Sequence, residues 1–225
     1  MEELLGCNEI QCRRPVWMAG RPSAVDRVSL RFQEAELCGF IGDDGCGKGL
    51  LLNVLGLLEA PDSGSVQVVG SEAPPPSSPE RTKLRNEVFG FVFSNPALLP
   101  AFSVAENVAM PLFRIRGVDP EAAELRTREV LDFCGITELG DFLAGRLPPE
   151  LAAKAALARA LVHGPRLLVA VSPKCGETLL PLARRAAEEL GMCVLWAGPA
   201  DGVSRHAHRT VAMRHGRISP HGMLT

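Results

Sequence analysis

The sequence predicts an α/β fold in which a mostly parallel sheet lies under helical cover, and three features of the chain predict it. Short apolar runs of strand type alternate with helix-competent segments from Val25 onward, an order that favours parallel strands joined by crossover helices. A glycine-rich octet, Gly42 to Gly49, stands between one such run and one such helix. A helix-rich stretch, roughly 95–160, then interrupts the alternation as an inserted helical subdomain would, leaving 25–94 and 160–225 as the core of a single domain over 1–225 and 1–24 as an N-terminal segment.

Taken in order, Val25 to Phe32 alternates, with apolar residues at Val28, Leu30 and Phe32, and reads as a strand. Glu36 to Ile41 is a second, mostly apolar strand. Leu50 to Leu58 is helix-competent and stops before Ala60-Pro61-Asp62. Ser65 to Val69 reads as a strand bracketed by Gly64 and Gly70, and Ala73 to Pro79 as a proline-rich surface excursion. Val88 to Phe93 is a further strand. Ser103 and Glu106 have capping-box spacing and open a helix through about Ile115. Asp119-Pro120 opens another, which Gly135 ends. Pro148-Pro149-Glu150 begins an Ala/Leu-rich helix to His163, closed by Gly164-Pro165. Leu167 to Val171 is a buried strand, Glu177 to Leu190 a helix, and Met192 to Trp196 a strand. Thr210 to Arg214 and Arg217-Ile218 form a hairpin about His215-Gly216. Leu4 to Gly20 predicts no element.

Composition narrows the class of function. With 225 residues and 46% apolar content, a sizeable core is available. A net charge of −2 argues against the broad basic footprint of a nucleic-acid binder. No apolar stretch approaches the ~20 residues needed to span a bilayer. Met1-Glu2-Glu3-Leu4-Leu5 is acidic where a signal peptide would be basic, so a soluble, cytosolic chain is expected. Cysteines at 7, 12, 38, 46, 134, 175 and 193 form no Cys-x-x-Cys pair, which predicts packed, reduced thiols rather than a zinc ribbon or redox motif. His206-x-His208, near His215 and His221, lacks a clear third metal ligand.

The octet Gly42, Asp43, Asp44, Gly45, Cys46, Gly47, Lys48 and Gly49 matches Gly-x-x-x-x-Gly-Lys. In that pattern glycines let backbone N–H groups close around phosphate oxygens, while the lysine neutralises charge. The strand before it and the helix after it aim a helix N-terminus at an anion. The pattern then asks for Ser or Thr as an inner ligand of Mg²⁺. The chain has Gly49. A loop fit to hold phosphate lacks its side-chain handle on the metal. A glycine-rich turn without a ligand is the plainer reading.

With these motifs in place, the chain resembles the nucleotide-binding subunits of ABC transporters, most closely the lipoprotein-release and macrolide-export type, from about Val25 to Gly222. The resemblance rests on Leu51-Leu-Asn-Val-Leu-Gly56, Asp62-Ser-Gly64, Gly90-Phe-Val-Phe93, Asn95 to Pro100, Ala105-Glu106-Asn107-Val108, Ala158-Arg159-Ala160-Leu161 and His215-Gly216-Arg217-Ile218. It implies a P-loop nucleotide-hydrolase core, ATP as cofactor, and a membrane permease subunit or an intact ABC ATPase paralogue as partner. It also implies a place at the cytoplasmic face of the inner membrane.

The catalytic positions of that family are changed. Ser94 stands where the family has glutamine, and Leu147-Pro148-Pro149-Glu150-Leu151 where its signature reads Leu-Ser-Gly-Gly-Gln. Val171-Ser172 replaces aspartate-glutamate, and Gly198 the switch histidine. The aspartate-bearing loop that closes the dimer is altered around Cys175 to Thr178. No tyrosine is present to stack on adenine; Trp17 is the aromatic alternative. The resemblance thus implies a degenerate, non-hydrolytic subunit that binds ATP weakly or not at all and does not hold Mg²⁺. Pro148 and Pro149 have no N–H to donate to phosphate, although Pro-Pro-Glu is a sound helix start. Family sites combine the P-loop of one subunit with the signature of the other, so this chain would weaken both sites of any dimer. A slow or conditional ATPase and a non-hydrolysing nucleotide sensor are the alternatives.

Overall fold

The computed structural model describes residues 2–14, 23–116 and 118–224, and places the strands in two sheets. The elements are β1 (Glu3–Arg14), β2 (Ser23–Gln33), β3 (Leu37–Ile41), α1 (Lys48–Leu55), β4 (Ser63–Val68), β5 (Ser71–Glu72), α2 (Pro79–Val88) and β6 (Phe89–Phe93). They continue with α3 (Val104–Pro111), extended by a π-helical turn Leu112–Arg116, then α4 (Pro120–Phe133), α5 (Pro149–Leu161), β7 (Leu167–Val171) and α6 (Gly176–Leu190). Last come β8 (Cys193–Ala197), α7 (Ala200–His206), β9 (Arg209–Arg214) and β10 (Arg217–Leu224).

The six-stranded sheet runs β10-β9-β3-β8-β7-β6. Its five strands from β9 to β6 are parallel, and only β10 is antiparallel, folding back on β9. This is the mostly parallel sheet that the alternation predicts. A second, four-stranded sheet, β2-β1-β4-β5, is antiparallel throughout. The strand readings at Val25 to Phe32 and Ser65 to Val69 hold, but these strands belong to the second sheet. One of its two inner strands is β1, in a segment from which the sequence predicted nothing.

Helix α1 lies between the sheets, and Leu50, Leu51, Leu52, Val54 and Leu55 are all buried. A short helix apolar on every side is what a site enclosed on both faces requires. One core joins α1 to β1–β4 and to one face of the parallel sheet, with Ile10, Phe32, Phe40, Leu195 and Met213 among its members. The other core joins the opposite face, through Leu168, Val194 and Trp196, to α3–α6.

Three further elements depart from the sequence reading. The proline-rich excursion ends at Ser78, whose hydroxyl accepts from Arg81 N (3.1 Å) and so caps α2 at Pro79. Helix α7 follows β8 directly. The final hairpin is longer than Arg217-Ile218, since β10 continues to Leu224. No helix among the described residues is long and apolar enough to cross a membrane.

Candidate functional site: the carboxyl edge of the parallel sheet

Register alone brings most of the predicted positions together. Phe93 pairs with Val171, Val171 with Ala197, and Ala197 with Phe40. One step beyond that row, Ser94, Ser172 and Gly198 leave the ends of β6, β7 and β8, and the Gly42–Gly49 loop leaves β3. Ser172 N–H donates to Ala197 O (3.0 Å) and Gly198 N–H to Phe40 O (3.3 Å), tying the edge across strands. The crevice beyond the carboxyl ends of such strands is where open α/β sheets bind ligands.

The loop is closed by backbone from distant parts of the chain. Gly42 has φ +142 and Gly47 φ +103. A Cβ on Gly42 would strike Met213 O, and one on Gly47 would strike Ala24 O, so both positions require glycine. Gly216 N–H donates to Cys46 O (2.9 Å), clamping the loop from the β9–β10 hairpin. Ala24, Met213 and Gly216 thus form a wall that sequence reasoning missed. They act through backbone atoms, and only the glycine of the hairpin turn carried any signal.

Lys48 is buried and folded onto its own loop. Its Nζ donates to Gly42 O (2.8 Å) and Asp43 O (3.1 Å), and lies 3.9 Å from Asp44 Oδ1. Cys46 is buried and packs among apolar neighbours as a small filler. Gly49 faces β7: a Cβ there would lie 3.6 Å from Val171 Cγ1, an ordinary contact. Room for a larger residue exists. Gly198 is different, because its Cβ would lie 3.0 Å from Trp196 Nε1 and 3.1 Å from Val203 Cγ2. The indole and the valine crowd the place a side chain would use. Ser172 has φ +44 and Cys175 φ +57, left-handed conformations that bend the chain between β7 and α6.

Pro148 to Glu150 start α5 and are exposed, with no side-chain cap at Pro148. Two prolines at the start leave few N–H donors pointing out of that end. From α5, Arg159 bonds Ala97 O (2.7 Å) and Pro96 O (2.6 Å), fixing the loop after β6, and burial lowers its pKa from the usual arginine value. Asn107, fully buried, accepts from Leu99 N–H (2.7 Å) and donates to Leu99 O (3.0 Å) and Ser103 O (2.9 Å). The segment 95–106 is therefore held rigidly from two sides.

Beside it, α3 and α4 frame an apolar groove of about 350 Å³, lined by Phe102, Ala105, Met110, Phe113, Ala123 and Thr127 among others. Phe102 and Phe113 are 43% and 52% exposed. Thr127 is buried and its hydroxyl has no hydrogen-bond partner among the described residues.

His208, of the predicted His-x-His pair, is engaged by the fold. His208 Nδ1 accepts from Leu37 N–H (2.9 Å), and its Nε2 lies 3.3 Å from Glu188. Among the described residues no group of three or more His, Cys, Asp or Glu converges as a metal site. Trp17, considered above for adenine, lies outside the described residues, as does the side chain of His221.

Comparison with known proteins agrees with this architecture. Residues 25–173 match the ABC transporter family. The lipoprotein-releasing system ATP-binding protein LolD of Bordetella avium is 34% identical over 206 residues, covering 89% of each chain. LolD of Myxococcus xanthus is 35% identical over 198 residues, 85% of this chain and 88% of that one. The fold superposes on the dimeric structure of MJ0796, a bacterial ABC transporter cassette, with a TM-score of 0.84 at 26% identity, over 96% of this chain and 97% of that one. A post-hydrolysis structure of the same cassette, bound to ADP and Pi, gives 0.83 at 25% identity.

Proposed function

This chain belongs to the ABC transporter family as an ATP-binding subunit of LolD type, and from that premise we propose that it no longer hydrolyses ATP and acts through protein contacts. Its partner on this reading is a membrane permease, an intact paralogous ATPase, or both, at the cytoplasmic face of the inner membrane.

One observation carries the proposal: the polar row at the carboxyl edge has no base. Phosphoryl transfer to water needs a positioned base or water-orienting group, and charge stabilisation around the phosphates. Ser94, Ser172 and Gly198 occupy that row, and a serine hydroxyl is too weak a base to replace a carboxylate at neutral pH. Loss of a general base alone typically costs about 10²–10⁴-fold in rate. The Mg²⁺ of the family does not fit the residues present, because the side chains of Gly49 and Val171 offer it no oxygen. No step is therefore routed through it.

The segment Asn95 to Glu106 supports the partner half of the reading; the apolar groove between α3 and α4 lies wholly within 95–160 and has no part in it. In the family, the cleft between the core and the helical subdomain, here roughly 95–160, receives a helix of the permease. Asn95 to Glu106 keeps that region, and Arg159 and Asn107 hold it in shape. A second reading, nucleotide sensing without turnover or slow conditional hydrolysis, is favoured by the intact loop from Gly42 to Lys48.

Steady-state phosphate release from the purified chain with Mg·ATP tests the proposal. Release should equal that of buffer, and Lys48→Ala should change nothing. Turnover that Lys48→Ala abolishes would establish the slow ATPase instead. For the partner, the chain should co-purify with a permease from detergent-solubilised membranes. Recovery only as a lone monomer from such extracts counts against docking.

A further inference from the structure

Resting on the reading of residues 42–49 as a nucleotide site, we infer that it grips a nucleotide's diphosphate without a divalent cation and does not read the γ-phosphate. In P-loop proteins the cation is held between the Ser or Thr after the loop lysine and an acidic residue of a neighbouring strand, and it bridges the β- and γ-phosphates. In this chain Gly49 and Val171 fill those two places. The structure sets them against each other, a Gly49 Cβ lying 3.6 Å from Val171 Cγ1. Hydrocarbon faces hydrogen where two oxygens would have to converge. Mg²⁺ demands near-octahedral oxygen ligation, and neither side chain supplies an oxygen.

The pair is coherent as a unit. Without a cation, a carboxylate at 171 would face the phosphates with no countercharge between them. Valine removes that repulsion and packs against the core that holds α1. The remaining attraction is the loop N–H groups and the positive end of α1, which cradle the inner phosphates, and the Lys48 ammonium, which would ordinarily reach outward but here is engaged by Gly42 O (2.8 Å) and Asp43 O (3.1 Å) of its own loop. Groups that would distinguish a γ-phosphate lie past the strand ends, and there Ser94 and Ser172 offer hydroxyls while Gly198 offers no side chain. Asp43 and Asp44 add negative charge at the loop, which offsets the extra attraction a third phosphate would feel toward Lys48. The ligand class is therefore an uncomplexed nucleoside di- or triphosphate, with no preference between them.

Calorimetric titration of the whole chain with ATP and with ADP, each in EDTA and in excess Mg²⁺, tests this. The four dissociation constants should agree within about threefold, and Lys48→Ala should weaken each by about tenfold or more. The double variant Gly49→Ser/Val171→Asp should acquire Mg²⁺-dependent binding and a preference for ATP, which neither single change produces. Circular dichroism melts confirm that the variants fold. ATP bound about tenfold tighter than ADP in Mg²⁺, binding seen only with Mg²⁺, no binding at all, or a double variant still indifferent to Mg²⁺ would each overturn the inference. Mg²⁺-dependent affinity without turnover overturns only this step; turnover overturns the non-hydrolytic reading.

Discussion

Burial pushes the thiol of Cys7 up to about 11, and those of Cys38 and Cys134 up to about 12. In the unfolded chain such thiols ionise near their ordinary value of 9.0. Their contribution to stability is thus complete below pH 9 and is lost as pH rises toward 11–12, because only the unfolded state then releases the protons. Urea midpoints should fall steadily over that alkaline window, and Cys38→Ala should flatten the fall while costing about 1 kcal/mol at neutral pH through lost packing. Six cysteines are buried and Cys175 is half-buried, so a thiol reagent should modify Cys175 first and the rest only in denaturant. A Cys175→Ser chain that still reacts quickly would contradict the packing described. At this scale Gly42, Gly47 and Lys48 were legible because their chemistry is local: spacing alone sets the turn and the charge. The wall they press on was not. Ala24, Met213 and Gly216 act through backbone atoms from chain segments far apart in sequence, and backbone contact leaves almost no residue preference to read.

Asn107 shows how one side chain can hold an element in place. Its buried amide fastens the turn before α3, whose first turn closes by a reciprocal capping box: Ser103 N–H donates to Glu106 Oε2 (2.7 Å) and Glu106 N–H to Ser103 Oγ (3.1 Å). Asn107→Ala would remove the buried amide that pairs the N–H and carbonyl of Leu99 and the carbonyl of Ser103, at a cost of about 2–3 kcal/mol in urea unfolding. Ser103→Ala at the exposed cap should cost only about 1 kcal/mol. If the segment Asn95 to Glu106 is the docking surface, Asn107→Ala should also weaken permease capture more than Ser103→Ala does. The box was readable from a three-residue spacing, and the structure keeps it. Strand β1 was not readable, because register shifts at Glu3/Leu5, Cys7/Ile10 and Ile10/Cys12 break the alternation that marks a half-buried strand. Helix α2 was hidden by its prolines and polar surface. It is held chiefly by one buried arginine, Arg81, which donates to Leu57 O, Pro74 O and Glu59 O. Helix α7 spans seven residues and buries Val203 alone, too little to leave a helical period.

The whole molecule sandwiches α1 between an antiparallel and a parallel sheet, so the P-loop is presented at one edge of a rigid core while α5 starts elsewhere, exposed, at Pro148 to Glu150. Within the family a complete site needs both surfaces, the loop from one chain and the start of the signature helix from its partner. Whether two copies close on nucleotide thus depends on the free energy gained at both of those surfaces. On the proposed reading the helix start, with two prolines lacking N–H donors and a glutamate, repels the phosphates it would have to cover. ATP should then leave this chain in the same oligomeric state in which it finds it. Light scattering after gel filtration, with and without ATP and Mg²⁺, should give one mass. Replacing Pro148, Pro149 and Glu150 by Ser, Gly and Gly should not alone create a dimer, because Gly49 and Val171 still fail to order the phosphates for the partner. Combining that triple change with Gly49→Ser, Val171→Asp and Ser172→Gln, the last standing in for a carboxylate without restoring a base, should produce an ATP-dependent dimer. Dimerisation of the unaltered chain on ATP would mean that the loop and α5 still cooperate, and would remove the physical ground for reading the chain as a non-hydrolytic partner.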